Sequence, residues 1–157
     1  MTSRPARWAL RTIRSALVTG CVILTGCGST ASPLLAEPSP TGSAASSCQA
    51  VMAALPQQVA GLARTASTPL TASWGDPAIT LRCGVDRPEG LTPTSRCDEV
   101  DRVGWYSEEF TEAWRFTTIG RVGYIEVTVP AVHAPASDAL VDLAPAVSRM
   151  ASVHPCQ

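Results

Sequence analysis

Trp74-Gly75-Asp76-Pro77-Ala78-Ile79-Thr80-Leu81-Arg82-Cys83-Gly84-Val85 runs from a turn straight into an alternating segment. Ile79, Leu81, Cys83 and Val85 share one face of an extended chain, while Thr80, Arg82, Gly84 and Asp86 share the other. Apolar and polar residues alternating at period two mark a strand with one buried and one wet face. This segment is expected to be the central strand of a sheet.

Before it, Cys48, Val51, Met52, Leu55, Val59 and Leu62 recur at helical spacing, with Ser47 as a credible N-cap. Pro56 interrupts that pattern, so the spacing predicts a helix over about 48–55. Residues 65–73 read as a connection or an edge strand. After the central strand, 87–98 is a loop rich in Pro, Gly, Thr and Ser. Val100, Val103 and Trp105 suggest a second strand, 113–119 a third and 122–130 a fourth. Gly120-Arg121 between the last two suits a tight hairpin. In the fourth, Gly123, Ile125, Val127 and Val129 alternate with Tyr124, Glu126 and Thr128.

A second helix follows, with Ser137 as cap, Asp138 in its first turn and an apolar stripe of Leu140, Leu143, Val147 and Met150. Pro145 should kink it near its middle. Neither helix sits in a crossover of the kind that parallel strands require. The expected class is α+β: a small antiparallel sheet of about four strands, with an N-terminal and a C-terminal helix packed on one face.

Residues 1–14 hold Arg4, Arg7, Arg11 and Arg14 and no acidic group, and 15–26 are apolar or small. A positive region followed by a short apolar one is a secretory signal peptide, too short for a stable membrane span. Leu24-Thr25-Gly26-Cys27 resembles the lipobox of bacterial lipoproteins, which makes Cys27 the expected lipidation site. Cys21 fits more loosely and would leave only about half of the expected apolar length. Two acyl chains anchor far more firmly than one, so the mature chain is expected on the outer face of the cytoplasmic membrane. Residues 28–47 are small, polar and proline-bearing, and read as a disordered tether spanning on the order of 25 Å. The expected organisation is therefore a signal peptide at 1–26, a lipid-anchored tether at 27–47 and one globular domain at 48–157.

All 12 basic residues are arginine, and without the four in 1–14 the chain carries eight against 13 acidic side chains. A net charge of −5 argues against nucleic acid and against attraction to anionic headgroups. Cys48, Cys83, Cys97 and Cys156 remain after processing; an even number in an exported chain implies two disulfides. Loop closure contributes roughly 3 to 5 kcal/mol per bridge in any of the three pairings, so energy does not choose among them. A zinc site is disfavoured because the spacings hold no Cys-x-x-Cys pair, and His133 and His154 stand apart. No metal and no cofactor are expected.

Trp74-Gly75-Asp76-Pro77 with Leu81-Arg82-Cys83-Gly84-Val85 is the most specific part of a wider resemblance. The other parts are Cys48 leading a helix that ends in Leu55-Pro56, Val103-Gly104-Trp105, and Gly120-Arg121 followed by 124–130. On these residues the chain resembles an actinobacterial family of exported or lipid-anchored proteins called domain of unknown function 3515. Arg102 departs from the pattern, where glycine would be expected before Val103. The resemblance implies Cys48–Cys83 and Cys97–Cys156 as the disulfides, with Cys83–Cys97 and Cys48–Cys156 as the runner-up. It brings no activity.

The residues offer few candidates for chemistry. Asp76 sits where aspartate commonly accepts backbone hydrogen bonds in a turn. Arg82 is expected to pair across strands with the outward-facing Glu126, and Arg121 to be exposed at its hairpin. Glu108, Glu109 and Glu112 read as a solvated turn without the pattern of a calcium loop. Trp74, Asp76, Arg82 and Arg121 form the candidate binding surface. With no nucleophile motif, zinc motif or phosphate loop, no catalytic residue is assigned. The chain reads as a non-catalytic envelope module whose partners are the membrane, through a diacylglycerol on Cys27, and an envelope protein or wall-associated ligand. The alternative is a hydrolase of envelope material working through carboxylates such as Asp76 and Glu126.

Overall fold

The computed structural model describes residues 35–154 and 156; the expected signal peptide, the expected lipidation site Cys27 and the first part of the expected tether lie outside the described residues. In chain order it contains helix α1 (Gly42–Ala54) and strands β1 (Gln58–Val59), β2 (Leu62–Ser67), β3 (Thr71–Trp74) and β4 (Ile79–Val85). Strands β5 (Asp98–Val100), β6 (Val103–Glu109), β7 (Ala113–Ile119) and β8 (Tyr124–Pro130) follow. A single 3-10 turn (Ala131–His133) then leads to helix α2 (Ser137–Val147).

The eight strands form one antiparallel sheet in the order β1-β2-β3-β4-β8-β7-β6-β5. It consists of two consecutive four-strand meanders joined where β4 pairs with β8. The expected sheet of about four strands is corrected to eight, while the two helices and the antiparallel pairing stand. The four expected strands correspond to β4, β6, β7 and β8. The added ones are short or lack a buried alternating face: β1 has two residues, β5 three and β3 four, and β2 is mostly exposed. Such strands are held by their neighbours rather than by their own hydrophobic pattern, and the shortness of β1 and β5 blunts the two sheet edges.

Register assigns the two faces. Ala72, Leu81, Val127 and Phe116 are successive partners across β3, β4, β8 and β7, and all are buried. Against this inner face lie α1 and α2, and the fully buried set includes Trp74, Trp105, Ile79, Leu81, Ile125, Leu143 and Met150. The Cys48–Cys83 disulfide joins α1 to β4 within this core. Helix α1 begins at Gly42, inside the stretch whose composition suggested a tether, because its Ala-rich sequence favours helix and Ala44 packs against Gly123. It ends at Ala54, and Leu55, just before Pro56, is extended as pre-proline residues usually are. Arg64 donates to the carbonyls of Leu55 and Pro56, placing a cation at the helix C-terminus.

Neither expected cap is realised: Thr41 and Ala136 hold the N-cap positions, and neither makes a side-chain capping bond. Pro145 falls in the last turn of α2 rather than its middle. Gly120 and Arg121 do not make a two-residue hairpin either, since four residues separate β7 from β8 and Arg121 forms a bridge with Ser152 of the C-terminal tail.

Between β5 and β6, Asp101 and Arg102 both have positive φ, at 46° and 63°. A two-residue hairpin loop with both central residues left-handed favours glycine at the second position, which accounts for the glycine expected there; nothing in the structure explains the arginine. The side chain of Arg102 is exposed and only its carbonyl is used, as a 3.4 Å acceptor for Arg121. Arg102→Gly is therefore expected to stabilise the domain by about 1 kcal/mol, read as a raised urea midpoint at unchanged slope. A lowered midpoint would contradict this account.

Candidate functional site

The chain leaves β4 in the middle of the sheet and must reach β5 at its far edge. Helices occupy the inner face, so the connecting loop, 86–97, crosses the outer one. There Gly90 lies against the hydroxyl of Tyr106, so closely that a Cβ would sit 2.5 Å from it. Arg87 donates to the carbonyl of Leu91 at 2.7 Å and braces the loop, and Leu91 is buried beneath it. The loop's far end is pinned by Cys97–Cys156, whose sulfurs lie over Gly104; a Cβ there would be 2.5 Å and 2.8 Å from them. Topology thus builds a roofed cleft on the face the helices leave open.

The cleft encloses about 370 Å³. Its floor is Glu126 of β8, Arg115 and Thr117 of β7 and Glu108 of β6, and its wall is Asp86, Pro88, Glu89 and Gly90. Register places these floor residues side by side: Glu126 opposes Arg82 and Thr117, and Arg115 opposes Glu108. A charge ladder results, with Arg82 Nε to Glu126 at 3.6 Å, Arg115 to Glu126 at 3.8 Å and Arg115 Nε to Glu108 at 3.2 Å. The expected Arg82–Glu126 pair is present. These contacts are ion pairs without hydrogen-bond geometry, because the buried Nε atoms of Arg82 and Arg115 have no bonding partner. Thr117 is 1% exposed and its Oγ1 also has no partner.

The four residues of the expected binding surface do not meet. Trp74 is fully buried on the inner face, where its Nε1 donates to Pro56 at 3.1 Å and the Arg64 guanidinium lies 5.7 Å from its ring. Arg82 lies on the outer face. Asp76 is exposed in the β3–β4 loop and makes no side-chain hydrogen bond among the described residues, so the expected turn bond is not formed. Arg121 is half-buried rather than exposed: it donates to the carbonyl of Met150 just beyond α2, and burial lowers its pKa from the ordinary value. Asp76 does not line the cleft that Glu126 lines. Glu108 and Glu109 belong to β6 rather than to a turn.

Arg115, Thr117, Glu108, Asp86 and Glu89 were missed as site residues. The signal for the first two was legible, because Trp114, Phe116 and Thr118 alternate with Arg115 and Thr117, and hairpin pairing sets the latter beside Glu126. Among the described residues no group of three or more His, Cys, Asp or Glu could hold a metal ion, and no helix is long and apolar enough to cross a membrane.

The fold and cleft define a disulfide-stapled α+β domain with one antiparallel sheet, helices on one face and a roofed polar cleft on the other. Residues 11–155 match the family described as Protein of unknown function (DUF3515), and the chain belongs to that family. No curated protein and no solved structure matches the chain.

Proposed function

We propose that this chain is a lipid-anchored, non-catalytic binding module of the cell envelope, held by a diacylglycerol on Cys27 outside the cytoplasmic membrane. Its ligand is taken in the cleft beneath the 86–97 loop. The observation that carries this reading is the cleft itself: a loop pinned by a disulfide roofs charged side chains whose hydrogen-bonding capacity the protein leaves partly unused. The two disulfides suit an oxidising compartment. The signal-like N-terminus and Leu24-Thr25-Gly26-Cys27 supply the address. The hydrolase alternative gains nothing from Asp76 and Glu126, which do not share the cleft.

Two experiments test the two halves of the proposal. Cys27→Ser should release the protein into the medium or leave an unprocessed precursor; unchanged membrane retention at an unchanged mature mass would refute the anchor. A photo-crosslinking residue at Pro88, in the cleft wall, should capture an adduct in cells that the same residue at Val141, exposed on α2, does not. Equal labelling at both positions would refute the cleft as the binding site.

A further inference from the structure

We infer that the cleft binds a small organic diammonium compound. This rests on the reading of the cleft as the binding site and adds the chemistry of its ligand. Four carboxylates surround it, Asp86 and Glu89 in the wall and Glu108 and Glu126 in the floor, against two cations, Arg115 in the lining and Arg82, which pairs with Glu126 from beside it. Arg115 lies between Glu108 and Glu126, so its charge is already shared between them. The lining therefore keeps a surplus of negative charge inside a concave space, which concentrates the field on whatever cation enters.

The unused bonding capacity points the same way. An ionised carboxylate offers about four acceptor sites. Neither Glu108 nor Glu126 accepts a hydrogen bond from a described residue, their arginine contacts being ion pairs alone. Thr117 adds a buried hydroxyl oxygen without a partner on the cleft floor. A buried polar atom left without a bond costs stability, and it is kept where a ligand or water completes it. An alkylammonium group carries three donors and no acceptor, which fits two carboxylates and one hydroxyl.

The carboxylates come as two pairs, one on the sheet and one on the loop, which suits a ligand with two cationic ends. The volume of about 370 Å³ lies in the range of small-molecule sites. A metal ion fits less well, because no three of these carboxylates converge as metal ligands among the described residues.

The test uses the full mature chain in nonionic detergent, titrated with 1,4-diaminobutane and separately with succinate, a four-carbon compound of opposite charge. The amide resonances of Gly90 and Thr117 should shift saturably with the diamine and not with succinate. Glu126→Gln and Glu108→Gln should each weaken the diamine at least tenfold, and Thr117→Val severalfold. Glu112→Gln, outside the cleft, should leave it unchanged. An unaltered thermal midpoint in each variant certifies the fold. Equal response to both compounds, no response to the diamine at millimolar concentration, or full affinity in Glu126→Gln would overturn the inference. Crosslinking at Pro88 that persists while the diamine fails would discard the ligand class and keep the cleft; loss of both would discard the cleft as well.

Discussion

Gly120→Ala is expected to destabilise the domain by at least about 3 kcal/mol, lowering its melting temperature by more than about 10 °C. Gly120 has a φ of 70°, and a Cβ there would lie 1.6 Å from the carbonyl oxygen of His154. The obstructing atom is backbone, so no side-chain rotation relieves the overlap. The tail beyond α2 would have to lift instead, and it is held on both sides. The Gly120 carbonyl accepts from the amides of Val153 and His154 at 2.7 Å and 3.0 Å, and the Val122 amide donates to Ala151 at 3.1 Å. The Cys97–Cys156 bridge fastens the far end of the tail to the outer face. Each lost hydrogen bond costs about 1 kcal/mol, and left-handed backbone adds about 1 to 2 for any residue with a Cβ.

Gly61→Ala separates these terms. Its φ is 75°, but a Cβ there meets nothing within 4 Å, so only the backbone cost of about 1 kcal/mol applies. Equal midpoints for the two variants in urea would show that the tail yields freely and would refute the argument.

The contrast between these two glycines marks where sequence reading stopped. Local pattern was enough for 79–85 and 124–130, because each strand buries one face and exposes the other, and period two records that directly. It was also enough to find both helices, though not the start of α1 at Gly42, inside the expected tether, and to pair Arg82 with Glu126. The number of strands was not legible, since β1, β2 and β5 gain their order from neighbours and bury few side chains of their own. The role of Gly120 was invisible for a similar reason: the residue it must avoid lies 34 positions away in a tail whose path no local signal encodes.

The cleft was half legible. Glu126 and Arg82 were set on the outer face by alternation alone, and Arg115 and Thr117 follow from the same logic applied to 113–119. The roof was not, because it depends on strand order. Had β5 lain beside β4, residues 86–97 would have been a short edge connection with no reason to cross the sheet. Only the joining of the meanders through β4 and β8 sends that loop over Glu126, Arg115 and Glu108. Trp74 misled in the opposite direction, as it adjoins an exposed turn yet fills the inner face beside Ile79.

Removing the Cys48–Cys83 bridge is expected to cost more than removing Cys97–Cys156, although loop length alone ranks them the other way. Cross-linking over separations of 35 and 59 residues gives roughly 4 kcal/mol in each case from chain entropy, with the longer loop slightly ahead. Packing reverses the order. Cys48 and Cys83 are both 0% exposed and join α1 to β4 among core side chains, so alanine at both positions leaves a cavity where two sulfurs stood. Each atom removed from such a place adds about 1 kcal/mol, bringing the total near 6. Cys97 and Cys156 are half-buried and lie on the outer face over Gly104, where the chain can relax into the space they vacate. Urea unfolding of the two double alanine variants measures the difference directly, and a larger loss for the Cys97 and Cys156 pair would refute it. Mild reductant supplies an independent reading, because thiol attack requires access: Cys97–Cys156 should open first, leaving a domain that still folds around Cys48–Cys83 while the roof of the cleft is freed.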